Sequence, residues 1–178
     1  MKKILCVLLF VANFSFSQDK IPFIDYDDVV EKIATEENDE NILALINTIS
    51  KNDSTYFSLL TSKSYYLLNS EKYQEAINVA NEGIDSSVKH SKANFYVNKG
   101  IALINLKKEK EALENYSEGL QLYPKNYLLW YNKGYILETQ GKLNKAIAAY
   151  KQAISFSPTY TKPHLRIGNI YYKQERFT

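Results

Sequence analysis

Between residues 93 and 160, apolar side chains return every three or four positions in two alternating sets. One set runs through 130, 134 and 137 and the other through 143, 147, 150 and 154, with Gly141-Lys142 between them. That spacing puts each set on one face of an α-helix, and a Gly followed by a polar residue is a turn signal. Each such stretch predicts two amphipathic helices folded back on one another. A weaker pair is predicted upstream, where Val29, Val30 and Ile33 are followed by Ile42, Leu45, Ile46 and Ile49. Four Pro and six Gly in 178 residues leave little for turn-rich β structure.

The pattern also recurs as a block. Trp130-Tyr131-Asn132-Lys133-Gly134 follows Tyr96-Val97-Asn98-Lys99-Gly100 by 34 residues, and Gly168 has the same phase. Behind these come Ala112, Tyr116 and Gly119, then Ala146, Tyr150 and Ala153, closed by Pro124 and Pro158. Small residues at Gly134 and Ala146 let paired helices approach closely. Pro158 lacks an amide hydrogen and biases Ser157 away from helix, which ends the second helix. One pair cannot cover its own apolar face, so stacking must bury it.

With these residues the chain resembles the tetratricopeptide repeat (TPR) family. Residues 127–160 follow the family's pattern at Trp130, Gly134, Leu137, Ala146, Tyr150, Ala153 and Pro158, with Lys133 where an apolar residue is usual and Leu137 where Tyr is usual. The resemblance implies an all-α, right-handed α-solenoid of stacked antiparallel helix pairs. Residues 93–126 and 127–160 are complete units. Residues 57–92 form a divergent copy through Leu60, Ser64, Leu67, Tyr73, Ala76 and Gly83, with two added residues placed in Ser86 to Ser91 because Ala76 and Ala112 are 36 apart. Residues 18–56 read as an acidic leader with a degenerate capping helix pair. Residues 161–178 read as the first helix of a further, truncated unit, with His164 filling the packing place of Trp130 and Tyr171 a core place.

The N-terminus changes where this protein is expected. Lys2 and Lys3 precede an apolar run from Ile4 to Phe14, and Ser15-Phe16-Ser17 places small residues before a cut ahead of Gln18. Residues 1–17 thus read as an export signal, and the run is shorter than the ~20 residues of a membrane span. The expected location is periplasmic or extracellular, with no stable membrane anchor after cleavage. Cys6, the one cysteine, falls inside the signal, so the mature chain has no thiol for a disulfide or a metal site.

Charge narrows the partners. The full chain carries a formal charge of +2, but residues 18–56 hold 10 Asp/Glu against 3 Lys. The later repeats are mildly basic, with Lys and Glu interspersed, which is a solvated surface and not a nucleic-acid footprint. Catalytic signatures are missing: the two histidines, His90 and His164, stand apart, and no HExxH, GxSxG or GxxxxGK[ST] occurs. The carboxylate clusters at Asp25, Asp27, Asp28 and at Glu36, Glu37, Asp39, Glu40 lack the Gly of a calcium loop. No enzyme, metal or cofactor is expected.

In proteins of the resembling family the first helix of each unit lines a concave face. By that resemblance the groove would present Asn98, then Tyr131, Asn132 and Tyr135, then Lys162, Arg166, Asn169 and Tyr172. Asn, Tyr and cations at these phases can hydrogen-bond a peptide backbone and stack on its side chains. Asn132, Lys162 and Arg166 also match part of a grip that some relatives use on a C-terminal carboxylate, while Val97 and Ile101 stand where that grip needs polar groups. The expected function is an exported, non-catalytic scaffold for a peptide or protein partner. The alternative is the sensory or assembly segment of a longer signalling or secretion protein.

Overall fold

The computed structural model describes residues 32–33, 35–49, 56–86 and 92–176. The expected export signal, the Asp25–Asp28 cluster, His90 and, apart from Ser86, the segment Ser86 to Ser91 where the two-residue addition is expected lie outside the described residues. Eight helices follow one another among the described residues: α1 (Asp39–Asn47), α2 (Tyr56–Asn69), α3 (Tyr73–Asp85), α4 (Ala93–Asn105), α5 (Glu109–Leu122), α6 (Tyr127–Thr139), α7 (Leu143–Phe156) and α8 (Thr161–Arg176). Each packs on the next, and α2 also touches α4 as α4 touches α6. First helices therefore stack on first helices, which makes an all-α solenoid of helix pairs.

Local chemistry sets the ends of these helices. The Asn38 side chain accepts from the amides of Glu40 and Asn41 at the start of α1, and Asn126 accepts from Leu129 at the start of α6. Within each pair the turn is the same. Lys72, Lys108 and Lys142 donate their amides to the carbonyls of Leu67, Leu103 and Leu137 at 2.9, 2.8 and 2.9 Å. The residues before them, Glu71, Lys107 and Gly141, have φ of 58°, 62° and 71°. This is the left-handed helix ending that glycine adopts without steric cost. Glu71 and Lys107 hold it at a cost on the order of 1 kcal/mol each.

Packing inside a pair rests on a glycine beneath a tyrosine ring. Tyr116 and Tyr150 are fully buried, and burying one such ring stabilises the fold by about 1.5–3 kcal/mol. A Cβ at Gly134 would lie 2.7 Å from the Tyr150 ring, and one at Gly100 would overlap Tyr116. In the divergent unit the sizes are exchanged: Ala80 stands where the tyrosine would be, and Ser64 replaces the glycine. Buried Ser64 donates to the Thr61 carbonyl at 2.9 Å and accepts from Asn98 Nδ2 at 2.6 Å.

The last helix differs from its forerunners. Nothing lies within 4 Å of a Cβ built at Gly168, and Tyr171 is 46% exposed. Tyr171 is therefore not a core residue here, because among the described residues no second helix follows α8 to cover that face. His164 is likewise exposed, although it keeps the polar contact of its phase. Trp130 Nε1 donates to the Pro124 carbonyl at 2.8 Å, and His164 Nε2 lies 3.4 Å from that of Pro158.

Candidate functional site

The residues expected to line the groove fall on α4, α6 and α8, and the structure divides them into three groups. Tyr131, Tyr135 and Arg166 come together. The Arg166 guanidinium lies 4.8 Å from the centre of the Tyr135 ring, and the Tyr131 ring packs 5.7 Å from Tyr150 and 5.3 Å from Tyr160. Asn132 is half-buried beside them, its Nδ2 donating to Leu128 of its own helix at 2.9 Å. Lys162, Asn169 and Tyr172 line the exposed side of α8, with Tyr172 59% exposed.

Asn98 is placed elsewhere. It is only 7% exposed, and its amide is used between α4 and α2 on Ser64 and on the Thr61 carbonyl. Ser64 brings a hydroxyl to a place that is glycine in the next two units, and Asn98 satisfies it. Its position in the structure is a packing contact between units and not an open groove surface.

Two contacts set the electrostatics around Arg166. Its Nη1 lies 3.6 Å from Glu138 Oε1, and Glu138 Oε2 accepts from the Tyr150 hydroxyl at 2.7 Å. Burial works against the Arg166 charge, yet Glu138, Tyr150 and Tyr131 hold its pKa above the ordinary value. Burial and the bond to Glu138 push Tyr150 strongly up in turn. Arg166 thus stays charged, with that charge met inside the protein. Val97 is buried where the carboxylate grip would need a cation.

Sequence reasoning missed three members of this face. Leu165, 66% exposed, holds the phase of Tyr131 in the next unit; Tyr65, 54% exposed, holds that of Tyr135 two units earlier. Leu165 and Tyr65 could have been found by carrying the repeat phase through every unit. So could Glu138, which stands 34 residues before Tyr172, but its ion pair with Arg166 could not, since phase does not show which side chains of α6 and α8 meet. Among the described residues no group of His, Cys, Asp and Glu is arranged to hold a metal, and no helix is long and apolar enough to cross a membrane.

Known proteins give this arrangement its class. Models of the tetratricopeptide repeat match residues 93–126, 115–148 and 139–175. The chain from residue 93 onward therefore carries tetratricopeptide repeats. Over 86 residues it is 31% identical to the protein STIP1 homolog of Dictyostelium discoideum; the match covers 48% of this chain and 15% of that protein. Among solved structures, residues 41-end of MamA from Desulfovibrio magneticus RS-1 superpose with a TM-score of 0.66 at 20% identity, over 84% of each chain. The first TPR of Spaghetti (RPAP3), bound to the HSP90 peptide SRMEEVD, superposes with a TM-score of 0.60 at 20% identity, over 69% of this chain and 96% of that one. These structural likenesses support the fold.

Proposed function

We propose that the chain is an exported, non-catalytic scaffold whose first helices hold a peptide segment or protein partner. The observation that carries this reading is the cluster of Tyr131, Tyr135 and Arg166, half-buried on the first-helix face with Asn132 beside it. Tyrosine rings with one apolar face and one polar edge are suited to holding a chain segment without reacting with it. The peptide held by the Spaghetti repeat supports the same use of the fold. Export is supported by the charged, apolar and small-residue sequence of residues 2–17.

The Arg166–Glu138 pair shapes what is bound. A peptide carboxylate arriving at Arg166 meets a cation already compensated, so recognition rests on side chains and backbone and not on the chain end. Panning a random peptide display library against the full chain tests the proposal. Enriched peptides should share an internal motif and bind equally as free acids and as C-terminal amides. Failure to enrich any peptide sinks the proposal.

A further inference from the structure

A second groove lies on the other side of the first helices, and two successive copies of it can be compared position by position. The later copy, of about 790 Å³, runs between α5 and α7 over α6, with half-buried Leu113 and Trp130 giving it apolar surface above the buried Leu137 and Ala149. Lys133 and Leu137 each lie two residues beyond Tyr131 and Tyr135, about 200° around the helix, so this is a different surface from the proposed peptide face. Lys133, Lys142 and Lys145 are its charged lining residues, and no carboxylate is among them.

The earlier copy, between α3 and α5, carries charges of both signs. Glu111, Glu114 and Glu118 line it together with Lys99 and Lys108, and Lys108 lies 3.8 Å from Glu111. One repeat later these three glutamates become Lys145, Ala148 and Gln152, while Asn115 becomes Ala149. The two positions of the Lys108–Glu111 pair are thus both occupied by lysines, Lys142 and Lys145. The fold does not require this, since the same helices pack with glutamates one unit earlier. Like charges gathered over apolar surface lower their energy when an anionic group docks.

From this exchange we infer that the α5–α7 groove is a docking site for an acidic amphipathic helical segment of a partner protein. Its apolar face would cover Leu113 and Trp130, and its carboxylates would meet the three lysines, a helix-in-groove mode of recognition. Charge complementarity selects this occupant. Lys133, a departure from the repeat pattern with its Nζ 5.7 Å from the centre of the Trp130 ring, then becomes part of the site.

Trp130 is the single tryptophan of the chain, so its fluorescence reports on this groove. The probes are a Trp-free helical peptide with leucines on one face and glutamates on the other, and the same peptide with lysine for every glutamate. The glutamate peptide should shift Trp130 emission, and the lysine peptide should bind at least tenfold more weakly. The chain carrying Lys145→Glu, Ala148→Glu and Gln152→Glu should lose the glutamate peptide by at least tenfold. These changes copy side chains that the preceding unit already accommodates, and circular dichroism checks that the helices persist. The pair Tyr131→Ala and Tyr135→Ala should leave this binding unchanged, which separates it from the proposed peptide face. Equal affinity for both peptides, full affinity in the triple variant, or equally tight binding of single-stranded DNA to the same groove would overturn the inference.

Discussion

Gly134 lies beneath the ring of Tyr150 so closely that a single added carbon would come within 2.7 Å of it. Gly168, 34 residues later and in the same phase, has nothing within 4 Å. One alanine substitution should therefore have opposite effects at the two sites. Gly134→Ala overpacks the pair and should cost about 1–3 kcal/mol, whereas Gly168→Ala should stabilise by about 0.4–1 kcal/mol through helix propensity and a restricted unfolded chain. Urea unfolding followed by circular dichroism measures both. Equal effects would remove the packing role assigned to Gly134.

The three turns supply a second prediction. Gly141 has φ of 71° with nothing near its Cβ position, so only backbone conformation is at stake there. Gly141→Ala should cost about 1 kcal/mol. A neutral result by urea unfolding would contradict the turn geometry.

High pH should weaken the fold. Burial and the hydrogen bond to Glu118 push Tyr96 up to about 12, and burial with Tyr131 and Tyr127 nearby pushes Tyr160 up to about 12. Burial raises Tyr116 and Tyr150 further. The folded chain thus keeps protons that the unfolded chain begins to release near pH 10. The stability tied to these groups is complete below pH 10 and is lost as pH rises through 12. Phenolate absorbance recorded with helicity should show these tyrosines ionising only as the helices melt. Ionisation of every tyrosine near pH 10 with helicity intact would contradict it.

Much of the fold was legible because side-chain size recurs with a fixed period. Gly134, Ala146, Tyr150 and Pro158 each have a physical duty at a defined phase, and their 34-residue echoes mark the units. The parts that were not legible depend on neighbours in space. Tyr171 has the phase of a core residue, but it is buried only when a helix covers it. Asn98 looks like a groove residue by phase, yet Ser64 in the adjoining unit draws it into the packing. Glu71 and Lys107 adopt the conformation of Gly141 although neither is a residue that announces a turn. Within the candidate face, Tyr131, Tyr135 and Arg166 were readable from phase, and so was Glu138 as the forerunner of Tyr172, while its pairing with Arg166 depends on how α6 and α8 pack.

Export makes its own prediction. If residues 1–17 are a signal, the protein recovered from the envelope or medium of a secreting host begins at Gln18, and N-terminal sequencing would read Gln-Asp-Lys. Retention of Met1 in the exported fraction would remove the signal reading while leaving the repeat fold untouched.

On the proposed function, the aromatic face of α6 and α8 holds the partner. This role is tested most directly by titrating a display-selected peptide against the full chain and against the variant carrying Tyr131→Ala and Tyr135→Ala. With helicity shown to be retained, affinity should fall at least tenfold in the variant. An unchanged dissociation constant would contradict the account.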